Sequence, residues 1–287
     1  MRAVHPGSGR LGHVAVSPVN PVVLARATVR RDWAIAVSYR LPFALDLVQT
    51  LAGMVLFYFI GTLVDSHTAS TTPGLEAGYF SFVIIGMVMV DMVSTSLTAF
   101  SDRLRADQTT GTFETLLTTP TPPWLVALTG ASYQLLYAST KAIVSLVIAA
   151  LFFGLQIDAG LDTLPAALLG FAAAILLFSS LGVAFAAYTV VFKRGSSLIG
   201  LATTGLALLG GVYFPLSVLP APLRAVGALL PFTWAVDVVR EALLHGRVAW
   251  GQLLVLVVVA IVLAPLSCRL FDAAVNRARR AGTLTHF

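Results

Sequence analysis

Leu164-Pro165-Ala166-Ala167-Leu168-Leu169-Gly170-Phe171-Ala172-Ala173-Ala174-Ile175-Leu176-Leu177-Phe178-Ser179-Ser180-Leu181-Gly182-Val183-Ala184-Phe185-Ala186-Ala187-Tyr188-Thr189-Val190-Val191-Phe192 contains no charged side chain. A helix needs about 20 apolar residues to cross the hydrocarbon core of a bilayer, so this run is long enough to span one. Working outward on both sides, comparable runs occupy approximately 42–64, 78–100, 131–155, 196–219 and 250–271, which with 164–192 makes six candidate spans. The chain has 287 residues, of which 57% are hydrophobic and only 11% charged. That combination predicts an all-α polytopic membrane protein and excludes an ordinary water-soluble core. One transmembrane domain over 21–272 is expected, preceded by a tail at 1–20 and followed by a basic tail at 273–287.

Charge orients the spans. If loops alternate sides and the N-terminus stays inside, the cytoplasmic face receives 14 of the 18 basic residues, including Arg26, Arg30, Arg31, Arg40, Arg103, Arg105, Lys193, Arg194 and Arg269. The outer face receives only Arg224, Arg240 and Arg247, and the first two outer loops carry no Lys or Arg. The positive-inside rule therefore predicts a multi-pass protein of the cell membrane with both termini cytoplasmic. The first 40 residues have arginines but no long apolar stretch, so no cleavable secretory signal is read there. A pI near 9.7 is accounted for by this orientation signal rather than by nucleic acid. The single Cys268 and five scattered histidines offer no disulfide and no metal set.

Three segments outside the long runs have a pattern of their own. From Pro21 to Arg40, apolar residues interleave with Arg26, Arg30, Arg31 and Trp33, as in a helix lying in the headgroup layer with its basic residues toward lipid phosphates or a partner. Orientation alone would explain the same arginines. Between the second and third runs, Gly111 permits an unusual backbone angle, Thr112 is a suitable N-cap and Glu114 complements a helix dipole. Phe113, Leu116 and Leu117 then share one face, and Pro120 ends the short helix. An interfacial helix without a partner would have this pattern too. Outside, Pro215, Pro220, Pro222 and Pro231 break the 215–249 stretch. Within it, Thr233–His245 is expected as a half-apolar helix dipping into the outer leaflet, with Val236, Val239, Leu243 and Leu244 inward and Gly246 closing it. Trp234 suits the headgroup level, and Arg240 is spaced to reach Asp237 on the same face.

Four polar residues fall inside the apolar runs: Asp46, Asp91, Gln134 and Lys141. A charge at the membrane centre costs about 2.5 to 3.5 kcal/mol on insertion scales, so each requires a partner or water. Asp91, Ser94, Thr95 and Thr98 form one stripe; Gln134, Tyr137, Lys141 and Ser145 form another. An internal polar seam and a substrate path are both consistent with them. With the second span ending near Phe100 and the third starting near Ala131, Asp91 and Lys141 lie roughly 14 to 15 Å deep and can pair directly. Starting the third helix at Trp124 instead would lift Lys141 by about 10 Å and separate them.

The order of features resembles the permease subunit of a type-2 ABC exporter of the drug, antibiotic or lipid type. The resemblance rests on Gly111-Thr112-Phe113-Glu114-Thr115-Leu116-Leu117-Thr118-Thr119-Pro120, on Gly210-Gly211-Val212-Tyr213-Phe214-Pro215-Leu216-Ser217-Val218-Leu219-Pro220, and on Leu230-Pro231-Phe232-Thr233-Trp234 through Arg240. It covers roughly Pro21 to Asp272, and Asp107-Gln108 stands where the family often has an acidic and basic pair. The resemblance implies that Asp107, Gly111, Thr112, Phe113, Glu114, Leu117 and Pro120 belong to a coupling helix that docks on a separate ATP-binding cassette subunit. It also implies a second permease chain, identical or sister, with ATP and Mg carried by the partner subunit and no cofactor here. This chain lacks a phosphate loop, since its only two lysines occur in Thr140-Lys141-Ala142 and Phe192-Lys193-Arg194. An intramembrane enzyme using Asp91 with His67 or His245, and a non-transporting membrane assembly protein, are the competing readings.

Overall fold

Inside a bilayer every backbone amide needs a partner from the chain itself, and the described residues meet that need with helices. The structure, a computed structural model, describes residues 21–38, 40–65, 75–109, 122–192 and 196–280. In chain order these form α1 (Pro21–Ser38), α2 (Arg40–Asp65), α3 (Tyr79–Thr109), α4 (Pro123–Phe153), α5 (Leu164–Phe192) and α6 (Ser196–Leu209). A 3-10 turn at Leu216–Val218 leads to α7 (Ala221–Leu229), α8 (Pro231–Leu244) and α9 (Trp250–Arg280). Among the described residues, five helices are long and apolar enough to cross a membrane: α2, α3, α4, α5 and α9. A sixth is reached only if α7 and α8, bent by 79°, count as one broken span.

Several boundaries depart from expectation. The fifth expected span, 196–219, is helical only to Leu209. Its 14 residues rise about 21 Å, short of the roughly 30 Å hydrocarbon core. Gly210 and Gly211 end it, and the following prolines turn the chain into α7 and α8. The second span runs to Thr109 rather than residue 100, and the third begins at Pro123 rather than 131. Both extensions are polar or proline-led turns that hydropathy does not count, but Pro123 is admitted at the first helical position, where no amide partner is needed.

Helix α5 is the hub, packed against α3, α8 and α9. Lipid tails are as apolar as leucine, so membrane helices associate through close backbone contact between small residues. Along α5, Ala166, Ala167, Ala173, Ala174, Ala186 and Ala187 are buried. A Cβ on Gly182 would lie 2.6 Å from the Ser96 carbonyl oxygen, so only glycine permits that approach to α3. Helix α8 is also a core element and not the half-buried outer piece expected. Val236, Val239, Leu243 and Leu244 are buried as anticipated, but Ala235, Val238 and Ala242 are equally enclosed. Helix α2 is the contrast: Leu45, Val48, Leu56, Phe59 and Leu63 are all exposed along it.

Candidate functional site

The charged residues of the apolar runs converge where α2, α3 and α4 meet. Lys141 on α4 donates to Asp46 on α2 at 2.7 Å and lies 3.0 Å from Asp91 on α3. The Tyr137 hydroxyl, one turn earlier on α4, donates to the other Asp46 oxygen at 2.5 Å. The expected Asp91–Lys141 pair is therefore made, although α4 does run unbroken from Pro123, the condition expected to part them. Both helices extend beyond their apolar runs by similar amounts. Asp91 is eighteen residues from the end of α3 and Lys141 eighteen from the start of α4, so both lie about 27 Å along their helices. The same antiparallel register puts Arg103 against Gly130. Asp46, expected in the apolar run but not assigned a partner, completes a triad with two carboxylates and one ammonium.

The triad faces a cleft of about 450 Å³ between α2, α3 and α4, with Gln49, Thr50 and Ser145 also on its wall. The Lys141 side chain is only 12% exposed, against 36% for Asp46 and 50% for Asp91. What the cleft presents is carboxylate, with the ammonium held behind. Gln134 is apart from this cluster, two turns earlier on α4, and its Oε1 is buried without a hydrogen-bond partner among the described residues. His245 caps the C-terminal end of α8, 3.9 Å from Glu76 and 3.8 Å from Glu241. Asp91 is about 18 Å down α3 from Tyr79, so the structure does not assemble an Asp91–His245 pair. His67 lies outside the described residues.

At the opposite end, the segment expected to couple to a partner is anchored on both flanks. Of its residues only Asp107 is described; Gly111, Thr112, Phe113, Glu114, Leu117 and Pro120 lie outside the described residues. Asp107 is paired one turn back with Arg103, at 3.0 Å. Arg103 also approaches Asp32 of α1 at 3.8 Å, tying the N-terminal helix to the end of α3. On the far flank, the Trp124 amide at the start of α4 donates to Asp272 of α9 at 3.1 Å. An acidic side chain at a helix N-terminus satisfies a free amide and complements the dipole. Arg26, Arg30 and Arg31 are exposed on α1, as is Trp33. Asp32, Arg103, Trp124 and Asp272 were not singled out in the sequence, because each is ordinary at its own position and informative only across the fold.

Arg240 and Asp237, one turn apart on α8, interact through their charges, but the hydrogen bonds of the arginine go to other elements. Its guanidinium is buried and donates to the carbonyls of Phe82, Gly211 and Val212 at 2.8 to 3.2 Å, stacked 3.5 Å over the Phe82 ring. One side chain thereby ties α8 to α3 and to the end of α6. Gly86 makes room for it, since a Cβ there would be 2.7 Å from the Arg240 Nη2. Trp234 donates through Nε1 to the Ala228 carbonyl at 2.8 Å, bracing the bend between α7 and α8. Pro215 precedes the 3-10 turn, and Pro231 is the first residue of α8.

A family model described as ABC-2 type transporter matches residues 23–244, more than half of the chain. The chain belongs to the ABC-2 type transporter family. It is thus a multi-pass membrane permease component of an ABC transporter, a part that is not itself the ATPase and that associates with an ATP-binding subunit. The match takes in nearly all of α1, the triad, the α3 and α4 residues of both anchors, and all of α8, leaving the whole of α9 of this ABC-2 permease beyond it. Among curated proteins none matches the chain.

Proposed function

We propose that this ABC-2 permease moves a hydrophobic or amphipathic molecule, such as a drug, an antibiotic, a lipid or a lipid-linked glycan, outward across the cell membrane. A separate ATP-binding cassette subunit, carrying ATP and Mg, drives it, and a second permease chain completes the path. The observation that carries the reading is the charged triad open to a cleft between three apolar helices. Membrane charges are costly and are retained where polar groups pass or pair, and here half of the Asp91 side chain faces the cleft. Both termini are cytoplasmic in this reading. Helix α6 and the bent α7–α8 element together make the fifth crossing, the short helix covering the inner part and the bent pair the outer leaflet.

Coupling enters through Gly111–Pro120, whose described flanks carry the Asp32–Arg103–Asp107 chain on one side and the Trp124–Asp272 contact on the other. Co-reconstitution with the ATP-binding subunit tests it. Glu114→Ala and Gly111→Pro are expected to leave membrane insertion intact while abolishing stimulation of the partner's ATPase. Stimulation and transport equal to the parent in both variants would remove this loop as the transmission element.

A further inference from the structure

The triad carries more carboxylate than it can neutralise. Both Asp46 oxygens are engaged, one taking the Lys141 ammonium and the other the Tyr137 hydroxyl. Asp91 meets Lys141 through one oxygen only, and its side chain is half exposed to the cleft. With two aspartates against one lysine, the cluster has a formal excess of one negative charge. No other basic residue occurs in the central part of α2, α3, α4 or α5, so a second identical copy brings to this depth only its own Lys141, already set against its own Asp46 and Asp91. Beside the neutral polar Gln49, Thr50 and Ser145, the wall is apolar at Met54, Ile84, Met87 and Val88. Behind Lys141 and Tyr137 lies a second groove of about 290 Å³, lined by Trp33, Leu47, Tyr133, Leu136 and Val144 among others. Tyr133 and Tyr137 stack at 6.5 Å within it. An anionic cleft thus adjoins an aromatic groove on either side of one lysine.

We infer that the cleft is a binding site for an amphipathic organic cation, its charge against Asp91 and its apolar body against Met54, Ile84, Met87 and Val88. An anion entering the cleft meets carboxylate before it meets the enclosed ammonium. A neutral amphipath gains nothing from the uncompensated charge. A hydrophobic cation gains the ion pair in a low-dielectric setting, together with burial against the apolar part of the wall. The inference gives the substrate class of the permease proposed above and rests on that reading.

The probes are tetraphenylphosphonium and tetraphenylborate, ions of nearly the same shape and opposite charge. Binding of each is measured on the full-length chain in lipid nanodiscs, with empty nanodiscs subtracted. The cation is expected to bind and the anion not. Asp91→Asn, which leaves the Asp46–Lys141 pair in place, should weaken the cation by roughly tenfold to a hundredfold, and Asp91→Glu should retain it. Gln49→Lys, on the exposed cleft wall, should weaken the cation with all three charged residues untouched. Equal binding of both ions, preference for the borate, or cation binding unchanged in both Asp91→Asn and Gln49→Lys would overturn the site. ATP-driven accumulation of the phosphonium, measured in vesicles with the partner ATPase, separates the two proposals. Charge-selective binding without accumulation would defeat the exporter reading, whereas transport of other molecules alongside unselective binding would defeat this site alone.

Discussion

Lys141 is the residue on which the membrane interior depends most. Removing it leaves Asp46 and Asp91 facing each other with no cation, whereas removing Asp91 leaves a neutral Asp46–Lys141 pair still bonded to Tyr137. Lys141→Ala is therefore expected to cost on the order of 3 to 5 kcal/mol, the range for breaking a buried pair. Asp91→Ala should cost nearer 1 kcal/mol, because its half-exposed side chain is screened. Asp46→Ala falls between them. The double change Asp91→Ala with Lys141→Ala should be less damaging than the sum of its parts by about 1 kcal/mol or more. Thermal unfolding of the purified variants provides the cycle, and strictly additive losses would show that the charges do not interact. The sequence revealed that these residues needed partners, since each interrupts an apolar run. It did not reveal that Asp46 was the second carboxylate, because the register between α2 and α4 is set by packing and leaves no periodic trace in either helix.

At the scale of elements, the Arg240 contacts decide whether α8 is core or surface. Periodicity read α8 as half-apolar because it contains Asp237, Arg240 and Glu241, and a charged residue in a helix normally marks the wet side. Here the arginine is turned inward onto backbone carbonyls of residues 82, 211 and 212, atoms present at every position and so invisible to any motif. Removing the guanidinium strands those acceptors in an apolar setting, at about 1 to 3 kcal/mol for each group left unbonded. Arg240→Met is expected to lower the melting temperature sharply, with Arg240→Lys intermediate because an ammonium cannot bridge all three carbonyls. Gly86→Ala should destabilise by a comparable route, as its methyl group would meet both Arg240 and the Val212 carbonyl. Combining Gly86→Ala with Arg240→Met should fall short of additive. Full additivity would show that α8 is held by its apolar face alone.

Taken whole, the molecule has five long apolar helices plus a broken element, and the side on which the chain ends follows from whether that element crosses. The uncharged run from Leu164 was fully legible as α5, whereas the end of α6 was hidden by an apolar stretch that continues through Gly210 and Gly211 into Val212, Tyr213 and Phe214. If α6 with α7–α8 makes a fifth crossing, α9 returns to the cytoplasm; if it only dips and returns, α9 ends outside. Cysteine accessibility in intact cells distinguishes these. With Cys268→Ser as background, Ala221→Cys and Arg247→Cys, both at exposed positions, should react with an impermeant thiol reagent added outside. Arg277→Cys, at an exposed position near the C-terminal end of α9, should react only after permeabilisation. Labelling of Arg277→Cys in intact cells would reduce the count to an odd number of crossings. The cluster of Arg269, Arg277, Arg279 and Arg280 would then lie outside, against the charge rule that orients every other loop.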